Sequence, residues 1–285
     1  MHDHGKLEIV SIIFETAKVT GLVFLFMIVV EFLELKYSNF LKKYLTQNKH
    51  LQYIISSFFG IIPGCSGTFA MDSMYMSGII GFGGIIAVMV STFGDEAFVL
   101  LAQSPKTALI LMGFTFVFGI IAGYLADYSQ KIFKFKFNEK CCITHHEGHE
   151  HHFSFKHFFK EHIWTHIFKK HIPSIFLWLL FSILIIAFLN EHIHLDEVIK
   201  DNKWYLLILA ALVGILPISG PNLLFMTMYL QGVAPFSVLL TSSIVQDGHG
   251  LLPILGYSLE DAFKIKVFNV VFGLAVGVIV MLLGF

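Results

Sequence analysis

Apolar residues run through the chain in stretches long enough to cross a bilayer, and polar residues interrupt them at spaced positions. Leu7–Leu35, Thr107–Tyr128, Ile172–Leu189 and Ala262–Gly284 reach or approach the ~20 helical residues that span a hydrocarbon core. The region 51–103 divides differently. Leu51–Ile62 stops at a break, and Thr68–Ser77 leads into the glycine-rich turn "GIIGFGG". Ile85–Phe93 then stops at Gly94, and Ala97–Gln103 follows. Several of these pieces are about half a span. Two arrangements fit: a re-entrant hairpin with its tip at Pro63–Gly67 followed by one crossing broken at Gly94, or three ordinary crossings. Either way the pattern predicts an all-α polytopic membrane protein with about ten membrane segments.

The interruptions recur. When the sequence is shifted by 154 positions, Gly60–Gly123 aligns with Gly214–Gly277 without a gap, and sixteen of the 64 pairs are identical. Apolar composition inflates such a count, but it does not put one proline and five glycines in register. The chain therefore reads as an internal duplication: 1–128 is the first membrane repeat, 129–171 a linker and 172–285 the second repeat. Lysine placement sets the relative orientation. The loop after the first span holds Lys36, Lys42, Lys43 and Lys49, whereas its counterpart "NEHIHLDEVIKDNK" has four acids and two lysines. Loops of unlike character belong on opposite faces, so the repeats are expected to be inverted. The linker, with eight lysines, is assigned to the cytoplasm, with both termini outside and the bacterial inner membrane as the location. Leu7–Leu35 is too long for the apolar part of a cleaved signal and contains Glu15 and Lys18.

Non-helical backbone survives in a membrane only where protein or a watery cavity satisfies it. Pro63 and Pro217 remove a backbone donor, and neighbouring Gly64, Cys65, Ser66, Gly67, Ser219 and Gly220 form the rest of these breaks. Gly94 and Gly248 mark a second matched pair, in "STFGDE" and "QDGHG". Helix ends made this way present free carbonyls and amides, which are ready cation ligands. Asp72 adds a carboxylate about one turn beyond the first break. If the four breaks meet, they gather Asp72, Asp95, Glu96, Asn222, Gln246, Asp247 and His249. These hard oxygen donors and one imidazole suit a divalent cation, Mn²⁺ first, then Fe²⁺ or Zn²⁺. A soft alternative uses Cys65 with Met71, Met74 and Met76, and would favour arsenicals or soft heavy metals. Methionines that fill a helix interface explain the same residues.

The linker holds "CCITHHEGHEHH", in which Cys141, Cys142, His145, His146, His149, His151 and His152 form an accessory metal-capturing tract without zinc-finger spacing. The following "FSFKHFFKEHIWTHIFKKH" reads as an amphipathic helix on the membrane surface.

Composition narrows the function further. Net charge is −1, so no field attracts nucleic acid. All 19 basic residues are lysine, which removes the bidentate guanidinium that clamps oxyanions. Three cysteines, two of them adjacent, make no disulfide framework. No P-loop is present, so the expected driver is a proton or sodium gradient rather than ATP. No nucleophile–base constellation suggests an enzyme, and no prosthetic group is expected. The expected partners are the metal substrate, the coupling ion and the lipid bilayer, and a homo-oligomer is compatible with the sequence.

"IIPGCSGTFAMDSMYMSG" with "STFGDE", and "LPISGPN" with "QDGHG", together with the histidine-rich centre, resemble the bacterial ten-span heavy-metal exporters, a family also described as manganese transporters or arsenic efflux proteins. The resemblance covers most of the chain and implies metal efflux by alternating access. It supplies no ligand residues, so the site residues above rest on their own chemistry. A passive metal-gated channel sensed by the histidine loop is the reading from another class.

Overall fold

The computed structural model describes residues 48–133 except 77 and 195–285 except 218, with scattered helical positions between 12 and 28 and between 172 and 184. Among these residues every element is a helix. The first copy comprises α1 (Lys49–Ile61), α2 (Ser66–Met76), α3 (Phe82–Ser91), α4 (Glu96–Gln103) and α5 (Pro105–Phe133). The second comprises α6 (Leu195–Gly214), a 3₁₀ turn (Gly220–Asn222) leading into α7 (Leu223–Leu230), α8 (Phe236–Val245), a 3₁₀ turn (Gly248–Gly250) leading into α9 (Leu251–Tyr257), and α10 (Leu259–Leu282). Adding 154 to the bounds of α3 gives α8 at both ends, and Pro105 maps onto Leu259. The first repeat's last helix runs through Phe133, five residues beyond the boundary expected at 128.

The interrupted region adopts the hairpin arrangement. A β-carbon added at Gly67 would stand 2.3 Å from the Phe59 carbonyl oxygen, so α2 starts against the last turn of α1 and runs back along it. At the other end of the hairpin, the Gln52 amide donates to the Ile79 carbonyl at 3.3 Å and accepts from the Gly81 N–H at 3.2 Å. The α2–α3 turn therefore lies beside the start of α1, and α3 rises parallel to it. Neither arm reaches a full span. At ~1.5 Å per residue α3 extends ~15 Å, half the hydrocarbon core, before its break. After that break α4 continues outward, and α5 returns across the full width. Asp127, near the end of α5, accepts from the Tyr53 hydroxyl at 2.7 Å and from the Gly83 N–H at 2.7 Å, which ties α1, α3 and α5 together at the linker end.

The helices α3 and α8 are the hubs. Every residue of α3 is buried, as is Ser237–Val245 in α8. Identical glycines explain how neighbours come close enough. A β-carbon at Gly60 would meet Ser91 Oγ at 2.0 Å, and one at Gly119 would meet the Ala87 carbonyl at 2.7 Å. At the paired positions, Gly214 would meet Val245 at 2.9 Å and Gly273 would meet Val245 Cγ2 at 2.5 Å. Small residues thus let backbones touch, the usual packing device inside membranes. Large apolar side chains on α5 and α10, including Leu109, Val117, Phe263 and Val271, point outward, as lipid contact requires. These two helices are long and apolar enough to cross.

Contacts between the copies fix their relative direction. From the linker end inward, the Tyr75 hydroxyl donates to Asp261 at 3.2 Å, and Phe82 meets Phe268. Phe118 then meets Phe272 halfway along α5, and Phe114 meets Phe236 at the start of α8. So α10 starts where α5 ends, and α8 descends where α3 rises. The repeats are inverted.

Candidate cation site at the converging breaks

Each hub helix stops in extended backbone at Thr92 or Gln246, and the chain then turns at a glycine with φ of +52°, Gly94 in one copy and Gly248 in the other. That left-handed conformation costs another L-residue ~1–2 kcal/mol, so glycine is the residue that permits the turn. The Gly64 N–H donates to the Gly94 carbonyl at 3.0 Å, joining the hairpin tip to the break in α3–α4. From the other copy the Gln246 amide donates to the Phe93 carbonyl at 3.1 Å. β-Carbons added at Gly94 and Gly248 would stand 2.9 Å and 2.6 Å from the same atom, Ser219 Oγ. One at Gly250 would stand 2.5 Å from Thr68 Cγ2. All four breaks therefore meet, with Ser219 between the two turning glycines.

The polar side chains reach this junction from several helices. Asp72, on α2, is 0% exposed, and neither carboxylate oxygen has a hydrogen-bond partner among the described residues. It lies within electrostatic reach of Asp247. Asp247 forms an ion pair with Lys266 of α10 and accepts from the Asn269 amide at 2.5 Å. Asn222 accepts from the Ser242 hydroxyl at 3.0 Å, and its repeat mate Thr68 is hydrogen-bonded to Thr92 at 2.8 Å. Asp95 and Glu96 are buried at the start of α4, where Glu96 feels the charge of Asp95. His249 is half-buried on the 3₁₀ turn before α9.

The carboxylates thus sort into two pairs, Asp72 with Asp247 and Asp95 with Glu96. Among the described residues no three His, Cys, Asp or Glu side chains come together as a ready metal centre. A cation at the junction would complete its shell from other oxygens. Gln246 Oε1, Ser219 Oγ and Glu96 Oε1 are buried there without a hydrogen-bond partner among the described residues. Such atoms are costly to bury unless something coordinates them.

Sequence reasoning missed Lys266 and Asn269. The available signal was Lys266 itself, an ionisable residue two turns inside an apolar span, which marks a functional position by default. The accessory tract from Cys141 to His152 lies outside the described residues.

A family model described as "Putative, 10TM heavy-metal exporter" matches residues 8–192 and 174–283. No curated protein and no solved structure matches the chain.

Proposed function

Because this chain belongs to the ten-span heavy-metal exporter family, we propose that it is a secondary-active exporter of divalent transition-metal cations, with Mn²⁺ as the principal substrate, bound where the four breaks converge. One observation carries the reading: a carboxylate fully removed from solvent, Asp72, whose two oxygens make no hydrogen bond among the described residues and which lies within electrostatic reach of a second carboxylate, Asp247, at the junction of the inverted copies. A buried acid without donors, beside a second acid already matched by one lysine, is an unfavourable arrangement for an empty protein and a favourable one for a cation. Asp95, Glu96, Asn222 and His249 line the approach on the two copies, and broken-helix carbonyls supply the remaining oxygens.

Hard oxygen donors favour Mn²⁺ over thiophilic ions. The soft cluster is less suited to the task, since Met71 accepts from the Ser56 hydroxyl at 3.7 Å and is spent on packing α2 against α1. Alternating access then consists of exchanging the conformations of the two inverted copies around a fixed junction, driven by a proton or sodium gradient. The lysine-rich linker end faces the cytoplasm in this scheme.

The test is metal flux in proteoliposomes loaded with a Mn²⁺-quenched dye, run with Mn²⁺, Zn²⁺ and Fe²⁺, with and without a pH gradient. Uphill Mn²⁺ movement that Asp72→Asn abolishes and Cys65→Ser spares is the expected result. Movement only down a gradient would make the protein a channel, and dependence on Cys65 alone would move the site to soft ligands.

A further inference from the structure

The Lys266 ammonium has three hydrogens, and three oxygens surround it. It pairs with the Asp247 carboxylate and donates to the Gly214 carbonyl at 3.0 Å and the Val245 carbonyl at 3.1 Å. Those carbonyls are not ordinary helix interior. Gly214 is the last residue of α6 and Val245 the last of α8, so each oxygen has been freed by a break. A carboxylate plus the carbonyl ends of two interrupted helices is the donor set that binds a monovalent cation in a membrane interior. Here the cation is covalently attached to α10.

The first copy shows what the same place looks like without it. Lys266 corresponds to Met112, Asp247 to Phe93 and Asn269 to Thr115. The negative charge and the positive charge are absent together, and Ser91, the mate of Val245, bonds back to the Ala87 carbonyl of its own helix at 2.7 Å. The duplication therefore carries one apolar version of the seat and one charged version.

We propose that Lys266 is a tethered cation occupying a monovalent-cation seat built from Asp247 and the carbonyl ends of α6 and α8, so that this seat takes no free sodium or potassium from solution. The ammonium balances Asp247 and leaves Asp72 as the carboxylate whose charge the transported metal must balance. Its three bonds also pin the ends of two interrupted helices to α10, so the seat keeps its shape through the transport cycle. A sodium-coupled cycle would therefore have to bind its sodium elsewhere than this seat.

The experiment uses the full-length protein with Lys266→Ala, which opens the seat, compared in choline, potassium and ammonium chloride at one ionic strength. Two properties are read: melting temperature in detergent, and Mn²⁺ flux in proteoliposomes. For the wild type the melting temperature is the same in all three salts and flux is the same in choline and potassium; ammonium is kept to the melting arm because it dissipates a pH gradient. For Lys266→Ala in choline the melting temperature drops and flux falls at least about tenfold, since a buried carboxylate has lost its partner. Potassium refills the seat and restores both, flux to within about threefold of wild type, and ammonium restores the melting temperature. Wild-type flux and melting for Lys266→Ala in choline would overturn the proposal, as would a loss that no small cation reverses. If Lys266→Ala does not fold in any salt, Asp247→Asn/Lys266→Met decides: a folded protein without cation response supports the seat, and an unfolded or cation-responsive one refutes it. Only the flux arm rests on the metal-exporter reading. Should the wild type move no metal, that reading fails while the melting arm still decides the role of Lys266.

Discussion

Replacing Asp72 by leucine separates the demands of folding from those of transport. The two side chains have the same branching, so the substitution exchanges two oxygens for two methyls in nearly the same space. Asp72 is wholly buried and its oxygens make no hydrogen bond among the described residues. A buried polar group without a partner costs ~1–3 kcal/mol, and more if it is charged. Leucine removes that cost, and its repeat mate, Met226, already shows that an apolar side chain packs at the equivalent place in α7. Asp72→Leu should therefore stabilise the empty protein by about 1–3 kcal/mol, a rise of several degrees in melting temperature, while Mn²⁺ flux is lost. The assay is thermal unfolding of the purified protein in detergent, with and without Mn²⁺. Added Mn²⁺ should raise the wild-type melting temperature and leave that of Asp72→Leu unchanged. Met226→Leu, the control, should change neither stability nor flux much. A destabilised Asp72→Leu, or one that transports normally, would refute the idea that this carboxylate is kept for its cargo at the expense of stability.

Other expectations follow from single contacts. Gly277→Ala should destabilise by ~1–3 kcal/mol, because its β-carbon would meet Thr241 Oγ1 at 1.9 Å; Gly113→Ala, which meets nothing within 4 Å, should be tolerated, and melting curves of the two variants compare them directly. Asp127→Ala should cost ~1–3 kcal/mol by leaving the Gly83 N–H and Tyr53 hydroxyl without their acceptor. Lys49→Ala, whose side chain is 74% exposed, should change the same melting curve little. Cysteines introduced at Tyr75 and Asp261 should be joined within one chain in membranes by a bifunctional thiol reagent about as long as a tyrosine side chain, because the Tyr75 hydroxyl reaches Asp261 across the inverted copies; failure of the reagent to join them would contradict the antiparallel arrangement.

Much of the architecture was legible because its determinants are local and doubled. Pro63 and Pro217 could not sit inside a continuous helix, and Gly94 and Gly248 had to turn where they do, so the break positions follow from residue type. The same glycines that aligned under a shift of 154, Gly60 with Gly214 and Gly123 with Gly277, are points of close helix contact. What the pattern left open was whether 51–103 forms a hairpin and one crossing or three crossings, since both have the same apolar content. The Gly64 N–H, bonded to the Gly94 carbonyl, decides it by putting the hairpin tip at the break of the next crossing rather than at the far face, a contact that no periodicity announces. The site was legible as a list of polar residues at the breaks and not as a set of pairs. The pairing of Asp247 depends on Lys266, 19 positions away on a helix that carries no break of its own.

Ser219 has an evolutionary consequence. Both turning glycines lean on this one hydroxyl, while its mate in the other copy is the thiol of Cys65. A spot shared by two related halves has room for a single occupant, so doubling an ancestral gene offers two residues for one vacancy. The copies differ there and at Asp247, Lys266 and Asn269, while the glycine contacts of the scaffold are alike. A half-length relative assembling as a pair would then need either a smaller residue at this spot or two folds that differ despite one sequence.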